Sequence, residues 1–280
     1  MAKQRPIGKC KLCGEEKQLC DSHYLPKRLY KMLNAPELGN PNPVMSINGE
    51  LKQISAQYRG YVLCDTCEGL FSKLGEKWVL ANIPTKVGAP FPLQDALAPL
   101  APIAGGERWE RYDVSDTKGF DLEKLIYFGM SIFWRGCAHD WKTNAGQLAP
   151  HVDLDAHAEP VRKFLLGDEP FPDNMVLAVD IWPYKPVKPL LIYPVITEEL
   201  SPNGFRYWFY VPGLMFFLFV GSAIPQDAQE SDAMHGVVTV DLDNADWFAN
   251  FLKKVVKTQG QGAKIDAMLK EIAAIKASDK

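Results

Sequence analysis

The feature that most constrains this chain is a pair of C-x-x-C units, Cys10-Lys-Leu-Cys13 and Cys64-Asp-Thr-Cys67. Five of the six cysteines, these four and Cys20, fall in the first quarter of the sequence, and Cys137 stands apart. The start Met-Ala-Lys-Gln-Arg-Pro has no apolar signal core, which predicts a cytoplasmic chain in a reducing compartment. In that setting paired C-x-x-C spacing points to metal ligation rather than to disulfides. Four thiolates in two pairs suit one tetrahedral structural zinc, with Cys10, Cys13, Cys64 and Cys67 as its ligands. Gly14 relieves the tight turn after the first pair. Cys20 reads as a small core residue or an alternative ligand, and Cys137 as core.

The 280 residues suffice for one large domain or two smaller ones. Apolar residues at 47% and charged residues at 23% are those of an ordinary globular protein. A net charge of -3 argues against a uniformly basic nucleic-acid coat. The charge is uneven, however. Residues 1–80 carry 12 Lys and Arg against 8 Asp and Glu, and the remainder carries 19 against 26. A mildly basic head on an acidic body fits local contact between the head and a polyanion.

Along the chain, Leu19 to His23 reads as a strand, and Pro26 redirects the backbone before the basic-aromatic run Tyr24, Lys27, Arg28, Tyr30, Lys31. Residues 34–50, with Pro36, Gly39, Pro41, Pro43 and Gly49, read as a loop or lid-like insertion. Ile54 to Leu63 suggests a strand broken at Gly60. Asp65 to Ala81 reads as a helix with Leu70, Phe71, Leu74 and Trp78 on its apolar side, stopped by Pro84. Residues 84–106, rich in Pro and ending in Gly105-Gly106, read as a linker. Asp121 to Trp141 is the strongest helical pattern, and a second spans about Ala156 to Leu166. Strands follow at Asn174–Trp182, Leu190–Ile196, Phe205–Val211, Leu214–Val220 and Val237–Val240. Tyr207 to Ile224 is almost wholly apolar, but Pro212-Gly213 at its middle predicts two buried strands and a turn, not a membrane span. Asn244–Lys257 and Ala263–Ala277 read as closing helices.

The expected fold is therefore α+β. A zinc module over residues 1–83 is joined by a linker, 84–106, to a body over 107–280 made of helices, an antiparallel sheet and C-terminal helices. That body is open to dimerisation or to a protein partner.

His23, at a strand end beside the cysteines, suits a general base acting on water; it also suits a zinc ligand, or an ordinary surface histidine. Arg135, inside an apolar helix, reads as half of a buried ion pair. His139, His151, His157 and His235 have no partnered spacing.

Cys10-x-x-Cys13-Gly14, then Ser22-His23-Tyr24-Leu25-Pro26, then Leu63-Cys64-x-x-Cys67-Glu68 resembles the zinc-containing branch of the HNH (ββα-metal, treble-clef) endonucleases. The resemblance covers residues 10 to about 78. It implies a treble-clef fold for that stretch and a metal-dependent endonuclease that hydrolyses DNA phosphodiesters, with a role in bacterial genome or phage defence. Under it, His23 is the base that activates water, and Glu68 takes the helix position that holds a catalytic Mg²⁺ or Mn²⁺. Glu76, near the same helix face, is a candidate second carboxylate. Arg59 stands where the family has an Asn and suits phosphate contact, as do Lys27 and Arg28. Ser22 stands where the family has Asp or His. Glu68, Ser72 and Glu76 also fit a C-x-x-C-E-x-x-x-S-x-x-x-E pattern carried by bacterial proteins of unassigned role. The rival expectation is a catalytically inactive zinc module that binds nucleic acid or protein.

Overall fold

In a computed structural model of the chain, residues 4–33, 44–47, 50–53, 57–84, 89–183, 190–201, 204–242 and Lys270 are described. The closing helices expected over 244–257 and 263–277 lie outside them, Lys270 apart.

The head begins with the hairpin of β1 (Ile7–Lys9) and β2 (Glu16–His23), whose connection carries Cys10 and Cys13. Gly14 adopts a φ of +77°, a left-handed value that a side chain resists, so the turn needs glycine there. On its other edge β2 pairs antiparallel with β5 (Arg59–Cys64), matching His23 with Arg59 and Ser22 with Gly60. Gly60 lies within this strand rather than breaking it. A Cβ there would come within 2.5 Å of the His139 ring, so the glycine admits a loop from the body against the sheet.

A helix starts directly from β5. It runs Asp65–Phe71, widens through a π-helical turn at Ser72–Glu76, and ends as Lys77–Asn82. Asp65 and Glu68 in its first turn complement the helix dipole. Within the π turn Gly75 meets the backbone of Phe128, where a Cβ would lie 2.9 Å from the Phe128 nitrogen. That closeness sets this helix against the central helix, Leu122–Ala138.

The central helix is capped by Asp121, whose carboxylate accepts from the Lys124 N–H at 3.1 Å. Every residue from Leu125 to Gly136 is buried. Burial on all sides follows from its position between the head and the large sheet. Phe71 and Trp134 meet edge to face on one side, and Phe128 and Phe133 pack on Phe209 on the other. Each such buried aromatic contributes about 1.5–3 kcal/mol relative to exposure.

The large sheet has nine strands in the order β4-β3-β9-β10-β11-β8-β12-β7-β6. They are β3 (Val44–Ile47), β4 (Glu50–Gln53), β6 (Ala104–Gly105), β7 (Trp109–Asp113), β8 (Met175–Ile181), β9 (Leu190–Ser201), β10 (Gly204–Val211), β11 (Leu214–Val220) and β12 (Val237–Asp241). The apolar Tyr207–Ile224 stretch forms the β10–β11 hairpin, with Pro212-Gly213 as its two-residue turn and Gly213 at φ +80°. No helix among the described residues is long and apolar enough to cross a membrane.

Three expectations need correction. The sheet is mixed, because β3 runs parallel to β9 and β12 parallel to β8. The expected loop over 34–50 contains β3 and runs into β4; this hairpin leaves the head and extends the body's sheet. Residues 89–105, expected as linker, instead pack down: Pro92–Asp95 is a short helix, Phe91, Leu93 and Leu97 are buried, and β6 closes the sheet edge. Phe91 lies against Gly213, at the tip of the β10–β11 turn. One apolar core thus runs from Cys10 through Val240. The described part of the chain is mixed α+β, with a cysteine-bearing head fused to its body.

Candidate metal centre and histidine pocket

Cys10 and Cys13 come from the β1–β2 connection, Cys64 from the end of β5 and Cys67 from the first helical turn after it. Their Sγ atoms all lie within 4.8 Å of one another. A tetrahedral ion with bonds of about 2.3 Å to sulfur needs sulfurs about 3.8 Å apart, so a single metal can bind all four. The backbone supports anionic sulfur here. Gly14 N–H donates to the Cys10 carbonyl at 2.9 Å and closes the turn. The Cys64 N–H donates to Cys10 Sγ at 3.3 Å. Burial raises the Cys10 thiol, but backbone N–H groups of Cys13, Cys64 and Leu12 outweigh it and pull the thiol down. Burial, with the Cys64 and Cys10 sulfurs beside it, pushes Cys67 far up, so four bare thiolates do not coexist without a cation. Cys20 stands outside this group: its Sγ contacts Asp65 at 3.2 Å and Arg5 at 3.4 Å. Cys137 donates to the Trp134 carbonyl within the central helix.

His23 is not a member of the four-sulfur group. It lies in a cavity of about 500 Å³ lined by Lys27, Gln57, Arg59, Thr143, Asn144 and Ala145. Strand alternation puts Asp21, His23 and the opposed Arg59 on one face of the head sheet. Arg59 is held by Asp21 at 2.8 Å and by Asn144 Oδ1 at 2.9 Å. The His23 side chain hydrogen-bonds Gln57, and its Nε2 is buried with no partner. Burial lowers its pKa, Asp21 opposes that, and Arg59 and Lys27 lower it further. The imidazole is therefore neutral at pH 7, with one nitrogen free to accept a proton.

Ser22 takes the opposite face. It is 1% exposed, and its Oγ accepts from the Leu63 N–H at 3.3 Å. Glu76 lies beyond it and is bound to Arg135 at 2.6 Å. Arg135, 2% exposed, also reaches the Tyr24 carbonyl and lies over Phe71 at 4.6 Å. It thus ties the head helix, the central helix and the turn after His23 together. Glu68 neighbours Cys20 and carries a buried Oε1 without a partner. Neither Glu68 nor Glu76 lines the His23 cavity.

The basic-aromatic run divides in the same way. Lys27 and Arg28 are exposed, and only Lys27 lines the cavity. Tyr24 is stacked on Trp141 at 5.6 Å, and the Tyr30 hydroxyl bonds that of Tyr193, so both tyrosines belong to the core. Gln57, Thr143 and Asn144 were not foreseen as pocket residues. They sit in polar loops with no periodicity or motif, and Asn144 arrives from 85 positions beyond Arg59. Compared with protein-family models, curated proteins and solved structures, the chain matches none.

Proposed function

We propose that the head is a zinc-stapled module of treble-clef type and that the His23 cavity is the site at which a nucleic-acid phosphodiester is bound and hydrolysed. Zinc is the ion that four closely spaced thiolates suit best, since tetrahedral sulfur coordination matches its structural sites. The observation that carries the reading is His23 itself: a neutral imidazole with an unpartnered Nε2, beside Lys27 and Arg59 in an open cavity. The two cations attract a phosphate, Asp21 and Asn144 hold the Arg59 fork, and Nε2 takes the proton from an attacking water. The resemblance gives Glu68, whose Oε1 has no partner, as the carboxylate that would hold a Mg²⁺ or Mn²⁺ ion, which would supply charge stabilisation to the phosphate; Glu68 itself does not line the His23 cavity. Glu76 is assigned to the Arg135 ion pair instead. DNA as the substrate, and a role in genome or phage defence, come from the resemblance alone.

The test is nicking of supercoiled plasmid with Mg²⁺ or Mn²⁺ by the full chain, His23→Ala and Glu68→Ala. Cleavage by the full chain that both variants lose supports the reading. No cleavage of DNA or RNA under any metal sinks it.

A second reading is favoured by Ser22 and Glu76, because two positions expected near the ion are engaged within the fold. Here the same cavity binds phosphate without cutting. Binding to nucleic acid that falls on Arg59→Ala, in the absence of cleavage, supports this alternative.

A further inference from the structure

The face of the large sheet turned away from the central helix holds a second cavity, of about 520 Å³. The central helix packs on Phe216 and Leu177, so the alternating residues Phe217 and Ala178 face the other way. These two pair across β11 and β8, and the short side chain of Ala178 leaves depth beside the Phe217 ring. Two positions along β8, Asp180 pairs with Thr239 of β12. A carboxyl and a hydroxyl thus stand side by side at one end of the same floor.

The charged groups of the lining balance. Three arginines, Arg108, Arg111 and Arg206, meet three aspartates, Asp180, Asp227 and Asp241. Arg111 is bound to Asp227 and to Glu230 of the helix Gln226–Glu230, and its guanidinium lies 4.6 Å from the Trp109 ring. Arg108, Arg206 and Asp241 are also engaged within the fold. Two polar side chains remain for a ligand, those of Asp180 and Thr239. Thr239 is 8% exposed, and its Oγ1 is buried without a hydrogen-bond partner. The Asp180 carboxyl has no hydrogen-bond or ion-pair partner among the described residues. Burial raises it to about 8, helped by Asp241 and Asp227 and opposed by Arg111, so at neutral pH it is mostly uncharged. A protonated carboxyl donates and accepts at once, and so does a hydroxyl. A buried hydroxyl with no partner is destabilising, and a ligand edge that reaches it removes that penalty. Phe217 supplies the aromatic surface on which a flat ring packs.

We infer that this cavity binds a neutral planar heterocycle that carries a hydrogen-bond donor and acceptor side by side on one edge, as a free nucleobase does. The ring lies on Phe217 over Ala178, and the edge meets Asp180 and Thr239. A small cavity with apolar surface and a few converging polar groups is the general form of such a site. It shares no residue with the His23 cavity and does not depend on the function proposed there.

Titration calorimetry on the full chain at neutral pH tests this with uracil, cytosine and adenine, and with benzoate and benzylamine as charged rings of similar size. At least one of the neutral bases is expected to bind with Kd below about 1 mM, and both charged rings at least about tenfold more weakly. Thr239→Val, of similar shape, removes the hydroxyl and is expected to weaken binding about tenfold. Asp180→Asn keeps a donor and an acceptor in the same shape, so its affinity should stay within about threefold of the full chain. Raising the pH through about 8 ionises Asp180, which faces Asp227 and Glu230 from the helix, Asp241 from β12, and the three arginines. Binding by the full chain should then weaken, while binding by Asp180→Asn stays level; this arm holds even if Thr239→Val does not fold. No saturable binding of any neutral base, a charged ring bound as tightly, full affinity in Thr239→Val, or a pH slope that persists in Asp180→Asn would overturn the proposal.

Discussion

The two faces of strand β2 meet very different surroundings. Ser22 and His23 are neighbours in sequence, yet Ser22 is sealed against β5 while His23 opens into a solvent-reaching cavity. The same division separates the two arginines nearby. Arg135 is buried and bound to Glu76; Arg59 is half exposed and tethered by Asp21 and Asn144. Groups on the inner face are committed to holding the head on the body. Those on the outer face border a cavity with two cations and a buried nitrogen that has no partner. The difference separates motif residues engaged within the fold from those that border the cavity.

Under the proposed zinc staple, removing the metal is expected to break both faces at once. Structural zinc contributes on the order of 10–16 kcal/mol to folding in small zinc modules. Cys64→Ser, or a strong chelator, is expected to unfold the head, read as loss of near-UV circular dichroism. Because one core joins head and body, the melting temperature of the whole chain should fall too. A head that keeps its signal after metal is stripped argues against the staple.

Next in size is the inner face. Glu76→Gln leaves Arg135 buried without its anion, and loss of one partner of such a pair costs about 3–5 kcal/mol. Denaturant unfolding measures the loss. Under the proposed function, cleavage per folded molecule should stay within a few-fold of the full chain; a specific loss of turnover at unchanged stability would give Glu76 a part in the proposed cleavage.

The outer face should respond in the opposite way. His23→Ala is expected to lower cleavage by at least about 100-fold while stability changes by less than about 1 kcal/mol. Arg59→Ala comes after it, with nucleic-acid affinity about tenfold weaker and a salt dependence reduced by about one ion. If Arg59→Ala destabilises as much as Glu76→Gln, the two faces are alike and the comparison fails.

The smallest effect is that of pH. The folded pKa of His23 lies below its ordinary value of 6.5, so the unfolded chain binds the proton more readily. Stability from this group is complete above pH 6.5 and is lost as pH falls from there toward the lowered folded pKa. If His23 is the base proposed, it stays unprotonated over the same window, and cleavage should hold to below pH 6.5. His23→Gln is expected to remove that part of the stability slope, measured by thermal melts across the window.

Much of the architecture could be read from residues close together in the chain. The two C-x-x-C pairs, the glycine after the first, the Pro-Gly turn between two apolar strands and the all-apolar helix each rest on local spacing or local backbone preference. The β3–β4 hairpin could not be read this way, because prolines around it signalled a loop and its partner β9 lies far along the chain. The packed stretch 89–105 was hidden for a related reason: its prolines suit a linker, and only the core shows where Phe91 and Leu93 go.

The sequence alone was enough to bring four sulfurs to one point and to set His23 at a strand end, since short-range geometry determines both. It also placed Glu68 and Glu76 on one helix. Tertiary structure decided what each group does next. Arg135 comes from 59 positions away to take Glu76, and Asn144 from 85 positions away to hold Arg59. A carboxylate or an imidazole acquires its role from the charge and burial around it. Those come from segments that touch only after the chain has folded.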